Sequence, residues 1–158
     1  MKSDVGSDHL VRQDIMVRVR SADPTIPLPI YASLGASGAD VHAWIDQAME
    51  IPAMGRCLIP TGLFFEIPPQ FEIQVRSRSG LALRNGLFVI NSPGTIDSDY
   101  RGELKIIVAN IGTEIITIQP LERIAQIVLC PVFRAVFTVV EQIAPSQRSD
   151  GGFGSTGR

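Results

Sequence analysis

The sequence predicts an all-β domain, a sandwich or barrel of short strands carrying one short helix. Three observations lead there. The 14 Gly and 11 Pro residues are spread from Gly6 to Gly157, which leaves little uninterrupted length for helices. Between these breakers lie about ten segments rich in Val, Ile and Phe, several of them alternating with period two. Only residues 77–86 have the composition of a helix.

Taken in order, residues 1–13 are polar and unpatterned and read as a frayed leader. From Asp14 to Arg20 the chain alternates, with Ile15, Val17 and Val19 on one face, the mark of a half-buried strand. Pro24, Pro27 and Pro29 then impose an extended connector. Further strands are expected at 39–44, 56–59, 62–67, 71–76, 87–91, 103–109, 115–119, 123–130 and 132–140. In 71–76, for example, Phe71, Ile73 and Val75 alternate with Glu72, Gln74 and Arg76. The helix at 77–86 contains Leu81, Ala82, Leu83 and Arg84, has Ser77 or Ser79 as candidate N-cap, and stops at Asn85-Gly86.

A chain of 158 residues has room for one domain, here 14–146, followed by a Gly-rich arm at 147–158. Apolar residues make up 45% and charged residues 19%, a globular composition. A net charge of −2 argues against electrostatic binding to nucleic acid or to an anionic membrane. Cys57 and Cys130 have neither disulfide-framework nor zinc spacing; as core thiols they suit a reducing cytoplasm. Asp4, Asp8, Arg12 and Asp14 interrupt any secretory signal, and no run of 18 apolar residues spans a membrane. The expectation is a soluble cytoplasmic protein.

Four polar segments read as neither strand nor ordinary turn. Arg76-Ser77-Arg78-Ser79-Gly80 brings guanidiniums, hydroxyls and free N–H groups to a helix start, a ready anion site; alone it is equally a capped helix. Residues 91–102 hold Asp97 and Asp99 beside Tyr100, where a carboxylate can orient water, or simply cap a turn. The tail from Gln147 to Arg158 sets Phe153 among glycines and adds Arg148, either a closing arm or a plain flexible terminus. In residues 37–43, Asp40 and His42 face away from Val41. Asp40 supports a metal or base, or caps a turn, and His42 reads as structural or surface. No P-loop, GxSxG, HExxH or zinc-deaminase pattern occurs. What remains is Asp, Arg, Ser and backbone amides, which suit phosphate chemistry with a phosphate-bound magnesium ion.

Taken together and in order, these segments resemble the motifs of the trimeric dUTPase family, the deoxyuridine triphosphate nucleotidohydrolases. The matching stretches are SGADVHA at 37–43, VRSRSGLALRNGL at 75–87, NSPGTIDSDYRGEL at 91–104, ERIAQIVL at 122–129 and RSDGGFGSTG at 148–157. The resemblance implies a jelly-roll-like β domain in a homotrimer whose active sites are shared, the arm of a third subunit closing each site. It implies hydrolysis of dUTP to dUMP and diphosphate with Mg2+, which limits uracil in DNA and supplies dUMP for thymidylate synthesis.

The resemblance also assigns roles. Asp97 matches the carboxylate that activates water for in-line attack on the α-phosphorus. Arg78, Ser79, Gly80 and Gln126 match the phosphate-binding group. Asn91 and the backbone of Thr95, Ile96 and Asp97 match the hairpin that reads uracil, with the main chain of Lys105 completing that edge. Tyr100 matches the ring under deoxyribose that excludes a 2′-hydroxyl. Phe153, with Gly154 beside it, matches the stacking aromatic of the arm, and Arg148 its γ-phosphate arginine. Asp40 matches an aspartate that supports magnesium-bound waters, so no direct protein ligand to the metal is expected. Three departures stand out: Ser77 where the family often has Pro, Ser149 where Gly usually follows the arginine, and Thr95 where an apolar residue is usual. A dCTP deaminase or bifunctional deaminase–dUTPase on the same fold, and a dUTP-binding or regulatory module that has lost catalysis, are the rival readings.

Overall fold

The computed structural model describes residues 14–151. Its strands in chain order are β1 (Arg18–Ser21), β2 (Ile30–Tyr31), β3 (Ala39–His42), β4 (Met49–Ile51), β5 (Arg56–Glu66) and β6 (Phe71–Arg76). After the helix α1 (Ser79–Asn85) come β7 (Leu87–Val89), β8 (Gly94–Ile96), β9 (Glu103–Asn110), β10 (Ile116–Ile118) and β11 (Arg123–Pro131). The sheets are antiparallel: one has the order β1-β5-β9-β7, the other β2-β3-β11-β6-β8, and β10 pairs with β4 apart from both.

Both larger sheets contribute to one core, as in a jelly-roll-like sandwich. Val41, Ile59, Leu63, Ile106, Val108 and Ile118 are fully buried there, each from the inward row of an alternating strand. From Asp14 to Arg20 exposure alternates as the sequence predicts, although regular pairing begins only at Arg18. The strands expected at 56–59 and 62–67 are one strand, β5, with a register shift between Pro60 and Phe64 where it pairs with β9. Gly62 takes φ +65 at this shift, and its N–H donates to Glu103 Oε1. Asn110, fully buried, holds the turn after β9 by donating to the carbonyls of Ile51 and Glu114 and accepting from Gly112 N–H.

Three departures from the sequence reading have physical causes. β2, β4 and β8 are two or three residues long, too short to show a period. The N-cap of α1 is Arg78, with no side-chain cap, because Ser77 Oγ instead accepts the N–H of Val89. Gly86 ends the helix in the left-handed region at φ +70, as expected. Finally, 132–140 is not a strand. Val132 N–H still donates to Gln70, but beyond it the apolar alternation lies open, with Phe133, Val136, Phe137 and Val139 at 92–99% exposure. That pattern is a strand's, yet among the described residues the segment pairs with no strand.

The two cysteines are free and half-buried rather than wholly in the core. Burial pushes the Cys57 thiol up, while Cys130 lies near the Arg76 guanidinium. No helix among the described residues is long and apolar enough to cross a membrane.

Candidate active site

The first group of site residues is built on three neighbouring elements. On β3, Ala39 and Val41 point inward, so Asp40 and His42 face outward. Antiparallel pairing sets Gln126 of β11 opposite Asp40. Residues 123 and 126 would ordinarily face opposite sides of a strand. A register shift between Arg123 and Ala125 inserts Ile124 and re-aims Arg123 towards Asp40. Arg78, just before α1, reaches the same point.

One carboxylate therefore bridges two guanidiniums. Asp40 Oδ1 accepts from Arg78 Nε at 3.1 Å, and Oδ2 accepts from Arg123 Nη1 at 3.1 Å. Arg78 Nη1 also donates to the Arg123 carbonyl at 3.0 Å. The pair Arg78–Asp40 is mostly shielded from water, with side chains 25% and 20% exposed. The cluster retains one net positive charge and unspent guanidinium donors. Gln126 Nε2 donates to the Ser77 carbonyl at 2.9 Å, which brings its carboxamide to the start of α1. No acidic residue occupies the first turn of that helix, where Ser79 and Gly80 lie. An anion at this helix start meets donors, and the one carboxylate of the cluster, Asp40, is already engaged by Arg78 and Arg123. Beside the cluster, His42 Nδ1 is buried without a hydrogen-bond partner. Burial, followed by the charge of Arg123, lowers its pKa against the opposing pull of Asp40, so the ring stays neutral at pH 7.

The second group lies on the segment between β7 and β9. Asn91 is exposed just before the cis Ser92–Pro93 bond, and Gly94 is buried against Val75 and the Asn91 side chain. Thr95 and Ile96 pair with Gln74 and Ile73 of β6. Asp97 follows, its carboxylate exposed in a shallow pocket with Gln70, Phe71, Ser98 and Arg134. The turn beyond it is tied internally. Tyr100 N–H donates to the Asp97 carbonyl, Tyr100 Oη to that of Glu103, and Arg101 to those of Ser98 and Tyr100. Lys105 is exposed on β9, its Nζ 3.4 Å from Glu103 Oε2.

Within one chain these groups do not meet. The pairing of Ile96 with Ile73 puts Asp97 at the Glu72 end of β6, whereas Arg78 continues from the other end. Six extended residues cover about 20 Å, far beyond the roughly 3 Å that a proton transfer allows. Arg148 also stands apart. Its Nε donates to the Gly151 carbonyl at 2.7 Å, next to Ser149 at φ +46. That left-handed conformation favours glycine and accounts for the strain a serine carries there. The expected roles of Phe153 and Gly154 fall outside the described residues.

Arg123 is the site residue that alternation in the sequence does not single out, although it lies within 122–129. Counting by twos hides it, because the bulge alone turns it towards Asp40. Among the described residues no cluster of three or more His, Cys, Asp or Glu could cage a metal. The donors present fit a magnesium ion held by phosphate oxygens and water, which needs few protein ligands.

The chain matches the family model dUTPase over residues 25–157. It is 56% identical over 131 residues to the deoxyuridine 5′-triphosphate nucleotidohydrolase of Bdellovibrio bacteriovorus, covering 83% of this chain and 88% of that one. To the enzyme of the same name from Dinoroseobacter shibae it is 51% identical over 142 residues, covering 87% and 92%. A variant dUTPase of Staphylococcus bacteriophage 80alpha, solved with dUpNHpp, has the same fold at TM-score 0.82 and 22% identity, covering 90% of this chain and 99% of that one. So has a variant dUTPase from phage phi11 of S. aureus, described with a structural Mg(II) ion, at TM-score 0.73 and 19% identity over 82% and 99%. With the family model spanning most of the chain and two relatives at about half identity over more than four-fifths of it, the chain belongs to the dUTPase family.

Proposed function

We propose that this protein hydrolyses dUTP to dUMP and diphosphate in a homotrimer whose active sites are each assembled from more than one subunit. The observation that carries the reading is the Asp40-bridged pair of guanidiniums beside Gln126, a preorganised seat for a polyphosphate. Arg78, Ser79, Gly80 and Gln126 hold the phosphates. Asp97, from another subunit, accepts a proton from the water that attacks the α-phosphorus in line, and diphosphate leaves. A positioned base of this kind contributes roughly 10²–10⁴-fold. Asp40 holds Arg78 and would support the waters of a magnesium ion carried by the triphosphate, which when bound would supply neutralisation of charge on the phosphate oxygens.

Selectivity follows from the hairpin. Asn91, the backbone of Thr95 to Asp97 and the main chain of Lys105 hydrogen-bond uracil, and an amino group in place of O4 would leave donors facing donors. Tyr100, held by Glu103, fills the space a 2′-hydroxyl needs. Arg148, Phe153 and Gly154 of the arm close over the γ-phosphate and base, with 14–146 as the folded unit that carries them.

Two observations support assembly. The phosphate seat and Asp97 lie at opposite ends of β6, so in this arrangement one chain does not bring both to one phosphate. The open apolar segment after β11 also needs cover. The test is diphosphate release with Mg2+ from dUTP, with dCTP, dTTP and UTP in parallel and ammonia release from dCTP measured alongside. Turnover of dUTP alone is the expected result. Binding of dUTP without turnover would point to a regulatory module, and ammonia from dCTP to a deaminase.

A further inference from the structure

Gln126 has a seat that dictates which way its carboxamide faces. Nε2 donates one hydrogen to the Ser77 carbonyl at 2.9 Å. Turning the amide over would set Oε1 against that carbonyl, acceptor against acceptor. On the other side, Oε1 rests in the space left by Gly38. A Cβ at that glycine would land on Oε1 and lie only 3.1 Å from Cδ and 3.4 Å from the Gln126 Cβ. Ser77 is itself fixed, because its Oγ accepts the Val89 N–H at 2.9 Å.

We propose that Gly38 and Ser77 are positioning residues for the reaction, holding Gln126 so that its second Nε2 hydrogen, and not Oε1, meets the phosphate oxygens. An oxygen turned that way would repel a triphosphate, so amide orientation decides whether Gln126 helps or hinders. The inference rests on the reading of Gln126 as a phosphate contact. Gly38 never touches substrate. Its part is to have no side chain.

The experiment compares Gly38→Ala, Gln126→Ala, the double variant and Gln126→Glu in the full-length protein, measuring kcat and KM for dUTP with Mg2+ and the thermal midpoint. Gln126→Ala should lower kcat/KM by roughly 10–100-fold, the order expected for one oriented donor. Gly38→Ala should lose a similar factor, and the double variant should be no worse than Gln126→Ala, since the atom that the added methyl strikes is gone. Multiplying losses in the double variant, or a fully active Gly38→Ala beside an impaired Gln126→Ala, would overturn the proposal alone. A fully active Gln126→Ala would remove the phosphate role of Gln126 and the proposal with it. Gln126→Glu is close to isosteric and keeps the proposal testable if Gly38→Ala fails to fold. It places oxygen against both the Ser77 carbonyl and the phosphates, so it should fall below Gln126→Ala, and wild-type turnover would refute the donor orientation.

Discussion

Arg78 Nε lies 3.1 Å from Asp40 Oδ1, and the other oxygen of the same carboxylate is taken by Arg123. Asp40 is thus the anion that lets two guanidiniums sit side by side with donors to spare. Replacing it by Asn keeps the shape but removes the charge, so the arginines repel and Arg78 loses its aim. A hydrogen bond to a charged group is worth about 1.5–3 kcal/mol, and the half-open Arg123 contact sits at the low end of that range. Asp40→Asn should therefore lower kcat/KM for dUTP about ten- to a hundredfold, chiefly through KM, and lower the thermal midpoint by a few degrees. Steady-state kinetics on the purified variant check this, and an unchanged KM would show that Arg78 needs no bridge.

Much of this cluster could be read from sequence and part could not, for reasons visible at single residues. Asp40 follows from alternation, because Ala39 and Val41 on either side of it must be buried, whereas Gln126 follows only from the resemblance of its segment, and pairing of β3 with β11 brings the two together. Arg123 escapes such counting, since Ile124 and Ala125 are both buried and the bulge reverses its side. The helix was legible from its composition and its Gly86 stop, but the cap was not. Ser77 has a better use for its hydroxyl in holding Val89. The segment 132–140 shows the opposite failure: the strand pattern is there, and the segment pairs with no strand among the described residues.

His42 gives the fold a predictable acid sensitivity. Its pKa is lowered in the folded chain, first by burial and then by Arg123, whereas the unfolded chain keeps about 6.5. Between the two values the unfolded state binds the extra proton, so stability rises with pH through that window. Above about 6.5 both states are neutral and the residue contributes no pH dependence. Below it stability is lost until the folded-state pKa is passed. Thermal midpoints from about pH 7.5 to 5.5 should fall more steeply for the wild type than for His42→Gln, with the two curves parallel above about pH 7. Parallel curves throughout would show that His42 does not titrate differently on folding.

Phe133 and Phe137 stand 92% and 94% exposed on the segment that follows β11. Covering one such side chain is worth about 1.5–3 kcal/mol, a strong drive to bury both against a neighbour. If this segment joins subunits, Phe137→Asp should shift the particle towards smaller species in light scattering after gel filtration. dUTP turnover should fall with it, because Asp97 and Arg78 would no longer meet. A variant that keeps both its mass and its activity would locate the contacts between subunits elsewhere.

The distance between the two halves of the site leads to the sharpest test of sharing. Asp97→Asn preserves shape and removes the base, so it should still bind dUpNHpp while losing roughly 10²–10⁴ in kcat. Arg78→Gln should lose phosphate affinity through the other half. Refolded together in equal amounts, the two inactive chains assort at random within each oligomer. A site is intact when its Asp97 comes from an Arg78→Gln chain and its Arg78 from an Asp97→Asn chain, which random mixing produces in about one quarter of sites. Activity near a quarter of wild type, absent when the proteins are merely mixed without refolding, would mean that the two residues act across a subunit boundary. No recovery at any ratio would mean that a single chain must bring Asp97 and Arg78 together, and that β6 and β8 rearrange on binding nucleotide to close the gap of about 20 Å.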